Sequence, residues 1–143
     1  MKLQRAFLMV STLFLFASSA MAGDFDWISD LNIRAVADMS GFRASLATRF
    51  RIGDTQINAV LGNVEKPADA YMVLRLGEMS TRPPEYVLEQ YKSRGNKGWG
   101  ALAKSLGIKP GSNEFHALKR GNDLYDDNNR GKGKGKGRGR GKN

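Results

Sequence analysis

Seven cations stand at every second position near the C-terminus: Arg130, Lys132, Lys134, Lys136, Arg138, Arg140 and Lys142. Glycine fills the gaps between them, and Asn143 ends the chain. Glycine removes steric and secondary-structure constraints, so each cation is free to find its own partner. The chemistry this suits is electrostatic contact with an anionic polymer: nucleic acid, lipopolysaccharide or an acidic wall polymer. A second candidate is Trp99, between Gly98 and Gly100 and beside Lys92, Arg94 and Lys97. An aromatic among cations is a stacking platform for a sugar or a base. The phase of Trp99 with Leu102, Ala103 and Leu106 equally suits a helix face turned to the core.

Other chemistries are poorly served. The chain has no cysteine and one histidine, His116. Thiol catalysis and thiolate metal sites are excluded, and a zinc site of three or four ligands would need mostly carboxylates. The predicted metal and cofactor complement is none. Glu114 lies two residues from His116, so on a helix it points elsewhere. From Asp126, an EF-hand pattern fails: Arg130 stands at position 5 and Gly137 at position 12. No Gly-x-Ser-x-Gly, Walker or dinucleotide-type glycine loop occurs in the body. The reading is a non-enzymatic protein. A remote enzymatic alternative would draw on Glu78, Glu85 or His116.

The charge balance separates tail from body. The chain has 23 Lys and Arg against 14 Asp and Glu. Seven of the cations lie in the tail, and Lys2 and Arg5 lie at the start. Residues 23–129 therefore carry as many acids as bases. The high isoelectric point describes an appendage, and it says nothing about the partners of the body.

The start of the chain reads as an export signal. Lys2 and Arg5 precede the uncharged run Ala6 to Phe16, and small residues follow, ending in Ala20-Met21-Ala22. This is the layout of a secretory signal peptide cleaved between Ala22 and Gly23. The run is shorter than the roughly 20 residues a membrane span needs. The expected location is the periplasm or the exterior. The domain reading is 1–22 signal peptide, 23–121 helical domain, 122–129 polar linker and 130–143 disordered tail.

The body must position these groups without disulfides, so it folds by apolar packing alone. Its patterning is helical. Phe25, Ile28, Leu31 and Ala35 share one face, and Phe42, Leu46 and Phe50 follow at intervals of four. Ser40 and Gly41 are the expected break between these segments. A short strand over 48–52 is the weaker alternative. Gly53 reads as a stop and Asp54 as an N-cap. Ile57, Val60, Leu61 and Val64 give the next stripe. The run Ala70 to Met79 is apolar almost all round, as a buried helix is. Pro83 and Pro84 separate it from a helix carrying Val87, Leu88 and Tyr91, and residues 92–98 read as a loop. A helix from Trp99 stops at Gly107, and Ser112 caps a last one carrying Phe115 and Leu118. The fold class is all-α, a compact bundle of six or seven short helices.

Two segments carry a resemblance. LGNVEKPADAYMVLRLGEMS (61–80) and KGWGALAKSLGIKPGSNEFHALKR (97–120) resemble an uncharacterised family of small exported bacterial helical proteins. Its members have a signal peptide, a short helical body, a Gly-Trp-Gly segment, Leu-Gly-Ile-Lys-Pro-Gly-Ser, Glu-Phe-His and often a Gly/Lys/Arg-rich end. The resemblance covers nearly all of the body, implies one folded unit, and transfers no site residue. Residues 102–108 also look like the first helix and turn of a helix-turn-helix reader. The apolar residues that should follow sit two places late, at Phe115 and Leu118, with Asn113 and His116 in the required register. Sequence-specific DNA reading is not expected. Two functions are expected instead: polyanion binding by the tail, or a periplasmic protein-interaction or envelope-stress module that the tail keeps soluble.

Overall fold

A computed structural model describes residues 25–94 and 97–125. Seven helices occur among them, in the order α1 Trp27–Ala37, α2 Met39–Phe50, α3 Asp54–Leu61, α4 Pro67–Ser80, α5 Pro84–Arg94, α6 Trp99–Ser105 and α7 Asn113–Arg120. No strand occurs among the described residues, so 48–50 completes a helix. The signal-peptide and tail readings both fall outside the described residues.

Helix α4 is the hub. Ala68, every residue from Ala70 to Leu74, Leu76 and Gly77 are buried on it, and it packs against α1, α3 and α5. A helix apolar around most of its circumference must be wrapped, and its neighbours supply matching stripes. Leu31 and Ala35 come from α1, Phe42 and Leu46 from α2, Ile57 and Val60 from α3, and Val87 and Leu88 from α5. Leu102, Ala103, Phe115 and Leu118 extend the same core through α6 and α7.

The helix ends show which local signals act. Pro84 opens α5 and Ser112 caps α7, its hydroxyl accepting from the Phe115 N–H at 3.2 Å. The break between α1 and α2 comes earlier than Ser40. Asp38 leaves helical geometry and its carboxylate accepts from the Gly41 N–H at 2.8 Å, so Ser40 and Gly41 lie in the first turn of α2. Gly53, in extended geometry, is the N-cap of α3, and Asp54 is its first helical residue, near the positive end of the helix dipole. Helix α5 runs on to Arg94, so the expected loop begins later than Lys92.

Three helices end in the same hydrogen-bond pattern. The N–H of Ile52 donates to the Ala47 carbonyl, that of Arg82 to Gly77, and that of Ile108 to Ala103. Each pattern requires a left-handed residue just before the donor. Gly107 fills that position after α6 with φ of 88°. After α2 and α4 it is filled by Arg51 at φ 54° and Thr81 at φ 55°. These are costly choices, above all for the β-branched threonine. Gly77 has a different job: a Cβ there would lie 2.9 Å from the Arg82 carbonyl oxygen, where the chain folds back over α4.

The segment read as the start of a linker belongs to the body. Leu124 is buried and Tyr125 packs against the core. The Asp123 carboxylate accepts from the Tyr71 hydroxyl and from Arg49, each at 2.8 Å, and its backbone N–H donates to the Tyr71 oxygen at 3.1 Å. Arg75 lies 3.3 Å from the same carboxylate. The Arg34 guanidinium sits over the Tyr125 ring, 5.9 Å from its centre. The folded unit therefore extends at least to Tyr125. Polar composition concealed this because the contacts are ionic and made to partners distant in sequence.

Candidate functional site

A cavity of about 280 Å³ opens between the N-terminal end of α4, the C-terminal half of α5 and the start of α6. Trp99, the first residue of α6, and Tyr91, on α5, line it together. Their rings stack with centres 5.3 Å apart and planes 16° apart. Gly98 enters α6 at φ 81°, a backbone shape that suits glycine and sets the Trp99 side chain against α5. Leu102, one turn further along α6, adds apolar wall.

The polar end of the cavity is built on the first turn of α4. Asp69 is the third residue of that helix, and its Oδ2 accepts from the Lys66 N–H at 3.2 Å, a helix-capping contact. The same oxygen accepts from the Tyr91 hydroxyl at 3.0 Å. Asp69 is only 8% exposed, and its Oδ1 has no hydrogen bond among the described residues. Burial holds the Asp69 carboxyl above the usual carboxylate range, opposed by the hydrogen bonds from Tyr91 and Lys66. Burial and the hydrogen bond to Asp69 push the Tyr91 hydroxyl up to about 12, so it stays protonated and donates at neutral pH. Glu65, Lys66 and Arg94 complete the rim. Two acids thus face two bases, and the lining is formally neutral.

This arrangement divides the surface patch expected from the sequence. Arg94 and Trp99 meet in the cavity. Lys92 instead hydrogen-bonds the Asn63 side chain beside a separate groove shared with Glu85, Leu88 and Glu89. Lys97 is exposed and not part of the lining. Trp99 is half-buried, so it packs with the core and lines a cavity at once. The cavity's Asp69, Tyr91 hydroxyl, Glu65 and Lys66 went unread in the sequence. The available signal was a carboxylate just inside an otherwise apolar helix, two residues after Pro67.

The three groups offered for an enzymatic alternative are not assembled. Glu78 pairs with Arg49 at 2.9 Å and with Arg75 at 2.5 Å, and these contacts hold its carboxyl below the usual range. Glu85 borders the Lys92 groove, and His116 is exposed on α7. Among the described residues no three His, Cys, Asp or Glu are grouped to hold a metal, and no helix is long and apolar enough to cross a membrane. The cations from Arg130 to Lys142 lie outside the described residues. No family model, no curated protein and no solved structure matches the chain.

Proposed function

We propose that this is an exported, non-enzymatic helical protein whose basic tail holds anionic polymers by charge. The observation that carries the reading is the placement of net charge. The whole excess of +9 resides in seven tail cations and two at the start of the chain. A body with balanced charge exerts no net attraction on a polyanion, whereas a cation at every second tail position does.

The tail's reach suits a flexible contact. Fourteen residues span at most ~45–50 Å when extended and roughly 20 Å as a glycine-rich coil. Seven neutralised phosphates on duplex DNA correspond to a logarithmic salt slope near about −6. Binding of the intact protein to duplex DNA, to lipopolysaccharide and to an acidic wall polymer, compared with a chain ending at Asn129, tests the reading. The intact protein is expected to bind with a steep salt dependence, and the shortened one to lose most of the affinity. Equal binding by both would show that the tail is not the contact.

A further inference from the structure

We infer that the cavity between α4, α5 and α6 is a binding site for one pyranose ring of a glycan, with Trp99, Tyr91, Asp69 and Arg94 as its contacts. The inference concerns the body and does not depend on the tail.

Four features of the cavity select the ligand. Its volume of about 280 Å³ is room enough for one six-membered ring and its substituents. Tyr91 and Trp99, whose facing sides are taken up by their own stack, and Leu102 line it with the apolar surface they leave open, which suits a ligand with an apolar face. Its polar groups are mixed. Asp69 Oδ1 and Glu65 accept hydrogen bonds, while Arg94 and Lys66 donate them. A ligand satisfying all of them must itself carry donors and acceptors around its rim, as vicinal hydroxyls do. The lining is also formally neutral, with two acids and two bases. A phosphate or a carboxylate entering would meet Asp69 and Glu65, and an ammonium would meet Arg94 and Lys66.

Those features separate a sugar from a nucleobase. A base is also flat and rimmed with donors and acceptors. In a strand it brings a phosphodiester, for which a formally neutral lining offers no net attraction. A neutral sugar chain brings no such charge.

Tryptophan indole N–H signals give a direct test. The chain has two tryptophans, Trp27 and Trp99, so two indole resonances are expected in a nitrogen–proton correlation spectrum of the intact protein. The probes are cellotetraose, maltotetraose and tetra-N-acetylchitotetraose at up to ~10 mM, with a single-stranded oligonucleotide as the competing class. At least one sugar is expected to move the Trp99 signal and leave Trp27 in place. The expected Kd is about 1 mM, normal for a ring-sized ligand, and unchanged between low and high salt. Asp69→Asn, which keeps the acceptor for Lys66 and Tyr91, is expected to weaken binding about fivefold or more. Trp99→Phe is expected to weaken it similarly and assigns the signal. No movement with any sugar, equal movement of both signals, sugar binding unaffected in both variants, or displacement of the sugar by the oligonucleotide would each overturn the inference. Salt independence keeps the result distinct from any contact made by the tail.

Discussion

Replacing Asp123 with alanine tests whether the segment after α7 is part of the fold. The carboxylate accepts from Tyr71 and Arg49 and pairs with Arg75, and the three losses differ in weight. Arg49 and Arg75 both retain Glu78, and the pairs they lose are partly exposed, worth about 1 kcal/mol at most. Tyr71 is 1% exposed, and its hydroxyl would be left with a buried, unpartnered proton, costing about 1–3 kcal/mol. Partial release of Leu124 adds up to about 1.5 kcal/mol of lost burial. The expected total is about 2–4 kcal/mol, or roughly 10–20 °C in Tm for a domain of this size. Urea unfolding followed by circular dichroism measures it. Tyr71→Phe alone and combined with Asp123→Ala completes a cycle whose coupling is expected to be at least about 1 kcal/mol. The pH dependence has a defined sign. Burial raises the Asp123 carboxyl, but hydrogen bonds from Arg49 and Tyr71 outweigh it and hold the group below its ordinary value. Its contribution is therefore complete above about pH 4 and fades as pH falls through the lowered folded-state value. A variant within about 0.5 kcal/mol of the parent at pH 7, or a coupling near zero, would refute the docking of residues 122–125.

Asp69→Asn should behave oppositely with pH. The folded-state value of Asp69 is raised, so its favourable contribution is present at low pH and is lost as pH rises through that value. The variant should be at least as stable as the parent at pH 7, with its relative advantage smaller near pH 3.5. A thermal shift showing the reverse trend would contradict the buried position of this carboxyl. Thr81→Gly and Arg51→Gly should each stabilise by about 0.5–1 kcal/mol, because glycine adopts the left-handed turn without steric cost. A lowered unfolding midpoint in both would show that these side chains make compensating contacts. Gly77→Ala should destabilise by about 1–2 kcal/mol, since a Cβ 2.9 Å from a backbone oxygen outweighs the helix-propensity gain. A higher midpoint would mean that the turn after α4 yields easily.

The helical body was legible because each helix advertises itself by local spacing. Phe42 and Leu46, Ile57 and Val60, and Val87 and Leu88 all face the core as their periodicity requires. Proline and serine signals at Pro84 and Ser112 also worked, being read from one turn of chain. Helix ends were harder. Gly53 attracted the stop that Arg51 performs, because nothing in composition reveals that an arginine accepts a left-handed backbone. The docking of Asp123 was hidden for another reason. Its partners Tyr71 and Arg49 lie 52 and 74 residues away, and an ionic contact has no periodic signature. For the cavity, residue type pointed to Trp99 and Arg94 because they flank each other in sequence. Asp69 on α4 and Glu65 just before that helix joined them only through the packing of α4 against α5, which no local pattern reports.

The clasp at Asp123 also fixes a mechanical origin. The first tail cation, Arg130, follows Tyr125 by five positions, so it stays within about 17 Å of that ring along the chain. Tension on the chain beyond Tyr125 would reach the body at Tyr125 and Asp123, and pass through Tyr71 and Arg75 into α4 and through Arg49 into α2. The load enters the most buried helix of the bundle and bypasses the exposed end of α7. Whatever follows Tyr125 therefore departs from a point fixed by side chains of the core.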